Sequence, residues 1–327
     1  MKKHRILIYT LAIFVLLIAT GCTTKSGNTN VTKDVHKKKE VENQQQERDN
    51  FLVIAHRGAS GYAPENTFKA YNTAKSMNAD YIEIDIHMTK DGKLVAIHDK
   101  KVNRTTNGTG KITNMTLDEI KKLDAGSWFN KKYPKKARDK YKGLKIPTLE
   151  GIFQHYGKNV NYYIETKSPE IYPGMVDKLI ELLKKYDLID KDPQTKNVII
   201  QSFSPKSLKK VHRINPNIPL IQLLWYTPSK NGDLKEWKGV TPSPNEIGPK
   251  IWKEINQYAV GIGSNVFYKG KSVVGKQFVQ QARNNKLLVH AYTINKKNRM
   301  EKLIKWGVTG MFTNYPDKLS NVLKNIK

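Results

Sequence analysis

The chain has 327 residues, enough for one α/β barrel domain of ordinary size, and its single cysteine, Cys22, excludes any disulfide within the chain. It carries 57 Lys+Arg against 29 Asp+Glu, a formal net charge of +28. The lysines are scattered, and no RNP-like, zinc-finger or helix-turn-helix pattern accompanies them. We therefore expect a diffuse positive field suited to a polyanionic cell wall or an anionic membrane face, and no nucleic-acid partner.

Residues 1–21 have the pattern of a signal peptide of the lipoprotein type. A basic start, residues 1–5, precedes an apolar stretch, residues 6–20, that is short for a transmembrane helix. Gly21 stands before Cys22, as in the lipobox of bacterial lipoproteins, although Ala19 occupies a place where a leucine-like residue is more usual. We expect export, cleavage before Cys22 and lipid attachment to its sulfur, which anchors the protein on the extracytoplasmic face of the cell membrane. The alternative is a free thiol in a cleaved signal peptide.

Residues 22–50 have almost no large apolar side chains and predict a disordered tether that leads to a folded domain of residues 51–327. Within that domain, apolar runs typical of β-strands alternate with segments of helical periodicity. The strands are predicted at residues 51–55, 81–86, 162–165, 197–200, 218–224, 259–262, 287–292 and 310–313, and helices at 66–77, 175–186, 205–214, 273–284 and 297–306. This order predicts an α/β fold, a single-domain (β/α)8 TIM barrel, with an open doubly wound sheet as the alternative.

Two connections are long. Residues 99–160 form an insertion after the second strand with a short helix near residues 117–123, and residues 225–247 are rich in Pro, Ser, Gly and Lys. Residues 89–93 predict a turn that brings residues 94–98 back as an antiparallel ribbon and so delivers His98 to the barrel mouth.

Carboxylates lie late in two neighbouring predicted strands. Glu83 and Asp85 are two residues apart and therefore point to the same face of the second strand, and Glu165 ends the third. Buried carboxylates are costly without a cation or a proton between them, and three of them, with waters and substrate oxygens, suit Ca²⁺ or Mg²⁺. The alternative is a structural network with Lys167 or Arg57.

Two histidines are candidates for proton transfer, because imidazole titrates near neutral pH. His56 follows the first strand and His98 the ribbon, whereas His87, His155, His212 and His290 are interpreted as surface or packing residues. Arg57 offers a bidentate fork for a phosphate. Glu65 and Asn66 either begin the first helix or contact the ligand.

These residues carry a family resemblance. Residues 56–58, 64–67, 83–85, 89–92 and 98–99, continued by 165–167, 201–203, 292–295 and 313–317, resemble the glycerophosphodiester phosphodiesterase family from residue 52 to the C-terminus. The resemblance implies a TIM barrel that hydrolyses glycerophosphodiesters to an alcohol and glycerol 3-phosphate with one divalent cation. It implies catalytic His56 and His98, cation ligands Glu83, Asp85 and Glu165, and substrate contacts at Arg57, Lys167, Phe203 and Tyr292.

Tyr292 departs from the tryptophan that is more common at its position, so the resemblance leaves the alcohol half of the substrate open. Three alternative functions remain. One is a related barrel phospholipase, for which Trp225, Tyr226 and Trp237 offer a small apolar rim. Another is a hydrolase of glycerophosphate units in teichoic acid. The third, of a different class, is a non-catalytic surface lipoprotein that binds polyanions.

Overall fold

The computed structural model describes residues 50–326 apart from 190–196, 229–233 and 237–246, and gives the backbone alone for 234–236. Its central feature is a closed parallel sheet of eight strands in chain order, in which β8 pairs with β1 (Leu52↔Gly310) and β1 with β2 (Ile54↔Tyr81). The closure confirms the predicted TIM barrel and excludes the open sheet. The strands are β1 (Leu52–Ala55), β2 (Tyr81–Met88), β3 (Tyr162–Thr166), β4 (Val198–Ser202), β5 (Leu220–Leu224), β6 (Gly261–Asn265), β7 (Leu288–Tyr292) and β8 (Gly310–Thr313).

Helices surround this barrel and cover its outer face. They are α1 (Phe68–Ser76), α2 (Leu117–Lys122), α3 (Ser127–Lys132), α4 (Leu149–Tyr156), α5 (Met175–Lys185), α6 (Pro205–Ile214), α7 (Pro249–Asn256), α8 (Lys276–Asn284), α9 (Lys297–Trp306) and α10 (Pro316–Asn325). Several begin at a side-chain cap: Thr67, Thr148 and Ser204 each accept a hydrogen bond from a backbone N–H of the first turn. No helix among the described residues is long and apolar enough to cross a bilayer.

Alternation along the strands separates two cores. On β2, Ile82, Ile84 and Ile86 pack in the large cluster between the sheet and the helices. The intervening positions carry Glu83, Asp85 and His87, all buried on the opposite face. A smaller apolar cluster fills the barrel interior with Ile54, Tyr81, Tyr163, Ile199, Ile221 and Phe312. The buried polar side chains of β2 therefore lie beside the apolar core of the barrel interior, toward the carboxyl ends of the strands.

The insertion after β2 is an ordered subdomain. Leu94–Ala96 pairs antiparallel with β2 (Ile86↔Ala96), as the turn at residues 89–93 predicts. Val95, Val102, Ile112 and Ile120 then form a separate apolar cluster beneath it. Short 3₁₀ turns complete the path at Val102–Arg104, Ile112–Asn114, Pro134–Lys136 and Asp139–Tyr141, and a further 3₁₀ turn, Pro169–Ile171, follows β3.

The structure departs from the sequence prediction in three places. Strand β6 ends at Asn265, three residues beyond the predicted end, because pairing with β5 and β7 overrides the weak strand propensity of Gly263, Ser264 and Asn265. Helix α8 begins at Lys276, after the two-residue strands Phe267–Tyr268 and Lys271–Ser272. In the 225–247 connection, Tyr226–Pro228 pairs with Leu234–Glu236. The predicted signal peptide, Cys22 and the tether through residue 49 lie outside the described residues.

Candidate active site

Three carboxylates meet at the carboxyl ends of β2 and β3. The parallel register places Asp85 opposite Glu165, and Glu83 precedes Asp85 on the same face. Oxygen atoms of Glu83, Asp85 and Glu165 all lie within 4.8 Å of one another, and the three side chains are buried. The set predicted from sequence is therefore brought together by the barrel.

Charge around these carboxylates is only partly compensated. Lys167 Nζ lies 2.8 Å from Glu165 and 3.7 Å from Asp85, and Arg57 Nε lies 3.1 Å from Asp85. Burial and the nearby charge of Asp85 raise the pKa of Glu83 well above its usual range, and burial likewise raises the pKa of Glu165. For Asp85 burial acts the same way, but the positive charges of His98, Arg57 and Lys167 outweigh it and hold the pKa low.

The charge balance suits a divalent cation. The cluster contains five carboxylates, Glu65, Glu83, Asp85, Asp99 and Glu165, against three permanent cations, Arg57, Arg104 and Lys167. With all five carboxylates ionised, as they are when a cation displaces their protons, five against three leaves a formal charge of −2. Hard oxygen donors with that residual charge fit Ca²⁺ or Mg²⁺. The structural network proposed as the alternative is present as well, but it does not neutralise the site.

Arg57 is held in an unusual backbone conformation at the end of β1. Its φ is +57°, its backbone N–H donates to Glu83 Oε2 at 2.6 Å, and its Nη1 donates to Glu65 Oε1 at 2.7 Å. Gly58 follows with φ +78°, and a Cβ there would lie 2.6 Å from the carbonyl carbon of Ala70, so a larger residue is excluded. This tight turn directs the guanidinium, 15% exposed, into the pocket.

The two histidines differ in their partners. His56 Nδ1 lies 2.8 Å from Asn314 Oδ1, so this nitrogen donates to a neutral amide oxygen. His98 Nδ1 lies 2.7 Å from Asp99 Oδ1 and so faces a carboxylate. Burial, followed by the charge of Arg57, lowers the pKa of His56 to about 3. Both rings line the same cavity and keep Nε2 free of these bonds.

The cavity holds about 680 Å³, within the range of small-ligand sites. The charged part of its lining includes the predicted His56, Arg57, His98, Glu83, Glu165 and Lys167. The apolar part includes Phe203 and Tyr292, as predicted, together with Trp225, Leu223 and Phe312. The two parts meet where Lys167 Nζ lies 6.0 Å from the centre of the Phe203 ring. Trp225 stacks on Tyr292 at an interplanar angle of 14°, which extends the aromatic wall. All the site residues predicted in the folded domain therefore surround or underlie one cavity.

Several predictions need correction. Tyr226 is fully buried, so it is not part of an exposed rim, and Trp237 lies outside the described residues. Neither Glu65 nor Asn66 is the helix cap, which is Thr67. Glu65 instead binds Arg57, and Asn66 Nδ2 donates to Asp85 at 3.0 Å. His87, interpreted from sequence as a surface or packing residue, is buried but also lines the cavity, and its Nδ1 and Nε2 lie 2.8 Å from the Tyr172 hydroxyl and 3.0 Å from the carbonyl oxygen of His98.

Sequence reasoning missed three contributors: Arg104, Asn314 and Gln201. Arg104 binds both Asp99 and Glu65, and Gln201 Nε2 donates to Glu83 at 3.3 Å. Asn314 belongs to the C-terminal segment that the resemblance includes, but its contact with His56 spans 258 residues of chain. Gln201 also belongs to a segment of the resemblance, whereas Arg104 lies outside all of them.

Comparisons with known proteins agree with this site. Residues 56–318 match the model of the Glycerophosphoryl diester phosphodiesterase family. The chain is 50% identical over 276 residues, 84% of its length and 87% of the relative, to a glycerophosphodiester phosphodiesterase of Bacillus subtilis (strain 168). It is 36% identical to a glycerophosphodiester phosphodiesterase of Caldanaerobacter subterraneus subsp. tengcongensis, covering 84% of this chain and 98% of that protein.

A solved structure extends the comparison to the fold. A phosphodiesterase of Oleispira antarctica, in complex with the product sn-glycerol-3-phosphate, superposes with a TM-score of 0.66 at 26% identity. The match covers 83% of this chain and 96% of that one.

Proposed function

Because this chain belongs to the glycerophosphoryl diester phosphodiesterase family, we propose that it hydrolyses glycerophosphodiesters to an alcohol and sn-glycerol 3-phosphate, with one divalent cation and two histidines. Phosphodiesterase activity itself follows from the family match and from the 50% identity to an enzyme of that name. This activity excludes the alternative hypothesis of a purely non-catalytic lipoprotein that binds polyanions. The observation that carries the finer proposal is the meeting of two histidines and three buried carboxylates in one cavity.

Glu83, Asp85 and Glu165 are the proposed cation ligands. Ca²⁺ is the first choice, since it accepts several carboxylate oxygens in flexible geometry, and Mg²⁺ is the second. When bound, the cation supplies electrophilic stabilisation of charge on the phosphoryl oxygens. Arg57 and Lys167 bring positive charge to the same cavity, and Arg57 offers a fork that matches two phosphate oxygens.

The histidine partners suggest a division of roles. His56 donates from Nδ1 to the neutral Asn314 amide and has a lowered pKa, so its Nε2 is unprotonated near pH 7 and accepts the proton of the attacking nucleophile, which is either water or a glycerol hydroxyl whose cyclic phosphate water then opens. His98 Nδ1 is held by Asp99, which leaves Nε2 facing the cavity, and His98 is the proposed donor of a proton to the leaving alkoxide. Protein atoms thus supply one proton acceptor and one donor in the same cavity.

The aromatic wall is the proposed contact for the carbon skeleton of the substrate. Phe203, Tyr292 and Trp225 line the same cavity as the charged groups, and the glycerol or the alcohol packs on their faces. The high positive charge of the chain also favours a polymeric phosphodiester such as teichoic acid as a further substrate. An intact phospholipid has less support, because Tyr226 is not available as an apolar rim.

Release of sn-glycerol 3-phosphate tests the proposal directly. The purified enzyme is incubated with glycerophosphocholine, glycerophosphoethanolamine, glycerophosphoglycerol, teichoic acid and an intact phospholipid, with EDTA, Ca²⁺ or Mg²⁺. We expect release from the deacylated diesters, loss of activity in EDTA, and recovery with Ca²⁺ in preference to Mg²⁺. Full activity after exhaustive chelation would contradict the cation, and release only from the intact lipid would favour the phospholipase.

For location, we propose an exported protein anchored to the cell membrane through lipid on Cys22, following residues 1–21 as a signal peptide and with residues 22–50 as a tether. The test expresses the full chain and a Cys22→Ala variant in a bacterial host and follows both by membrane fractionation. We expect wild type in the membrane fraction and the variant released from it. Equal membrane retention of both chains would contradict a lipid anchor on Cys22.

A further inference from the structure

Arg104 connects two carboxylates of the site: Asp99, which lines the cavity, and Glu65, which binds Arg57. Its Nε and Nη2 donate to Asp99 Oδ2 and Oδ1 at 2.8 and 2.9 Å. Its Nη1 and Nη2 also donate to Glu65 Oε2 and Oε1 at 2.8 and 2.7 Å. A single guanidinium therefore binds two carboxylates, each in a bidentate manner, which is the strongest geometry available to arginine.

Each of these carboxylates continues to a residue of the proposed chemistry. Asp99 Oδ1 lies 2.7 Å from His98 Nδ1, and Glu65 Oε1 accepts from Arg57 Nη1 at 2.7 Å. The contacts form one continuous series from His98 through Asp99, Arg104 and Glu65 to Arg57. Among the side-chain hydrogen bonds of the described residues, no other series joins His98, the proposed proton donor, to Arg57, the proposed phosphate contact.

We propose that Arg104 is a positioning residue that, through Asp99 and Glu65, fixes the orientation of His98 and of the Arg57 guanidinium together. The inference rests on the proposed roles of His98 and Arg57. Asp99 and Glu65 both contact the same Nη2 atom, so they lie close together and would repel each other without the guanidinium. Loss of Arg104 removes the partner that holds both carboxylates in place, so His98 and the Nη1 side of the Arg57 guanidinium are less firmly oriented, although Arg57 keeps its contact with Asp85.

The insertion presents Arg104 on a stable support. Val102 is fully buried in the apolar cluster of the insertion, and its backbone N–H donates to Gly110 at 3.1 Å. The Thr106 hydroxyl donates back to the Val102 carbonyl at 2.8 Å. Arg104 itself is 36% exposed in its side chain, so a substitution there removes the ionic contacts without opening a cavity in the core.

The test compares Arg104→Met and Arg104→Lys with Arg138→Met, an exposed arginine elsewhere in the insertion whose Nη1 bonds only to a backbone carbonyl. We expect Arg104→Met to lower kcat about 10- to 100-fold, as the loss of an outer partner of a site residue commonly does. We expect KM to rise as well, because Glu65 orients the Arg57 guanidinium less firmly. Arg104→Lys keeps the charge but cannot bind both carboxylates, so it recovers only part of kcat. Unchanged kcat in Arg104→Met would overturn the proposal.

Two further measurements separate positioning from general support of the fold. The first is a pair of double-mutant cycles that combine Arg104→Met with Asp99→Asn and with Glu65→Gln. We expect the effects on kcat to be strongly non-additive in both cycles, because each pair acts as one unit. In spectra of protein labelled with ¹⁵N-histidine, Arg104→Met should change the tautomer signal of His98, which is identified by its loss in His98→Ala. Additive effects with an unchanged His98 signal would assign Arg104 to the fold alone. An inactive wild type would instead refute the proposed function.

Discussion

His56 and Asn314 are joined by a 2.8 Å hydrogen bond between His56 Nδ1 and Asn314 Oδ1, although 258 residues separate them in the chain. The contact exists because β8 lies beside β1, and the backbone N–H of His56 donates to Thr313 at the same point. It fixes the ring so that Nε2 is the nitrogen left for the cavity. The closure of the barrel thus selects the tautomer of the proposed base.

Replacing this amide with a carboxylate should change the pH dependence of the reaction. In Asn314→Asp, the new negative charge favours imidazolium at His56 and raises its pKa from about 3, so the base is lost at higher pH than in wild type. We expect the ratio of kcat at pH 5 to kcat at pH 8 to fall. Asn217→Asp, which adds the same charge at an exposed turn before β5, serves as the control. An unchanged ratio in Asn314→Asp would argue against His56 as the base.

Removal of either histidine should act on turnover more than on binding. We expect His56→Ala and His98→Ala each to lower kcat by about 10²- to 10⁴-fold with a small change in KM, because proton transfer matters in the transition state. The measurement is the steady-state release of sn-glycerol 3-phosphate. His212→Ala, on the partly exposed face of α6, should retain normal kinetics. Near-normal turnover in His98→Ala would refute its catalytic role.

Cation binding should stabilise the fold and release protons. The raised pKa values of Glu83 and Glu165 mean that these carboxyls retain protons at pH values where free carboxylates have lost them, and a cation must displace those protons. Affinity for Ca²⁺ should therefore increase with pH. A Ca²⁺ concentration 100-fold above Kd should add about 2.7 kcal/mol to the free energy of unfolding.

Thermal unfolding with and without Ca²⁺ at pH 6 and pH 8 measures both effects. Glu165→Gln should lose most of the increase in Tm, whereas Glu150→Gln, which removes an exposed partner of Lys185, should keep it. The cation site would be refuted if Glu165→Gln responded to Ca²⁺ as wild type does.

His290 should make stability depend on pH. It is fully buried, its Nδ1 lies 2.8 Å from the Tyr163 hydroxyl, and burial, with a smaller effect of Arg283, lowers its pKa to about 3. The unfolded chain binds its proton near pH 6.5, so between these values the unfolded state holds more protons and the free energy of unfolding falls as pH falls. The slope for this one group is about 1.4 kcal/mol per pH unit.

Urea unfolding at intervals from pH 4 to 7 checks that slope. His290→Gln can still bond to Tyr163 but cannot take up a proton, so its dependence on pH should be shallower than that of wild type by this amount. His212→Gln should follow wild type. Parallel curves for wild type and His290→Gln would show that His290 does not contribute.

Much of the fold and most of the site could be predicted because their signals are local. Alternation on β2 places Glu83 and Asp85 on one face whatever surrounds them. The boundaries of β6 and α8 could not, since the residues there have weak propensities and only pairing with neighbouring strands decides their conformation. Arg104 was missed because a charged residue in an insertion is usually solvated, and nothing local shows that it faces two carboxylates.

The sequence by itself determined which chemical groups are present and on which face or strand end each lies, because side-chain periodicity and turn residues act over a few positions. It also determined the family, through short motifs in a fixed order. Only the tertiary structure decided which groups share a contact. The pairing of β1 with β8 joins Asn314 to His56, and the folded insertion places Arg104 between Asp99 and Glu65. The orientation of a histidine ring and the charge balance of the site depend on distances of a few ångströms. Tertiary packing sets these distances, and they cannot be read from the separation of two residues in the sequence.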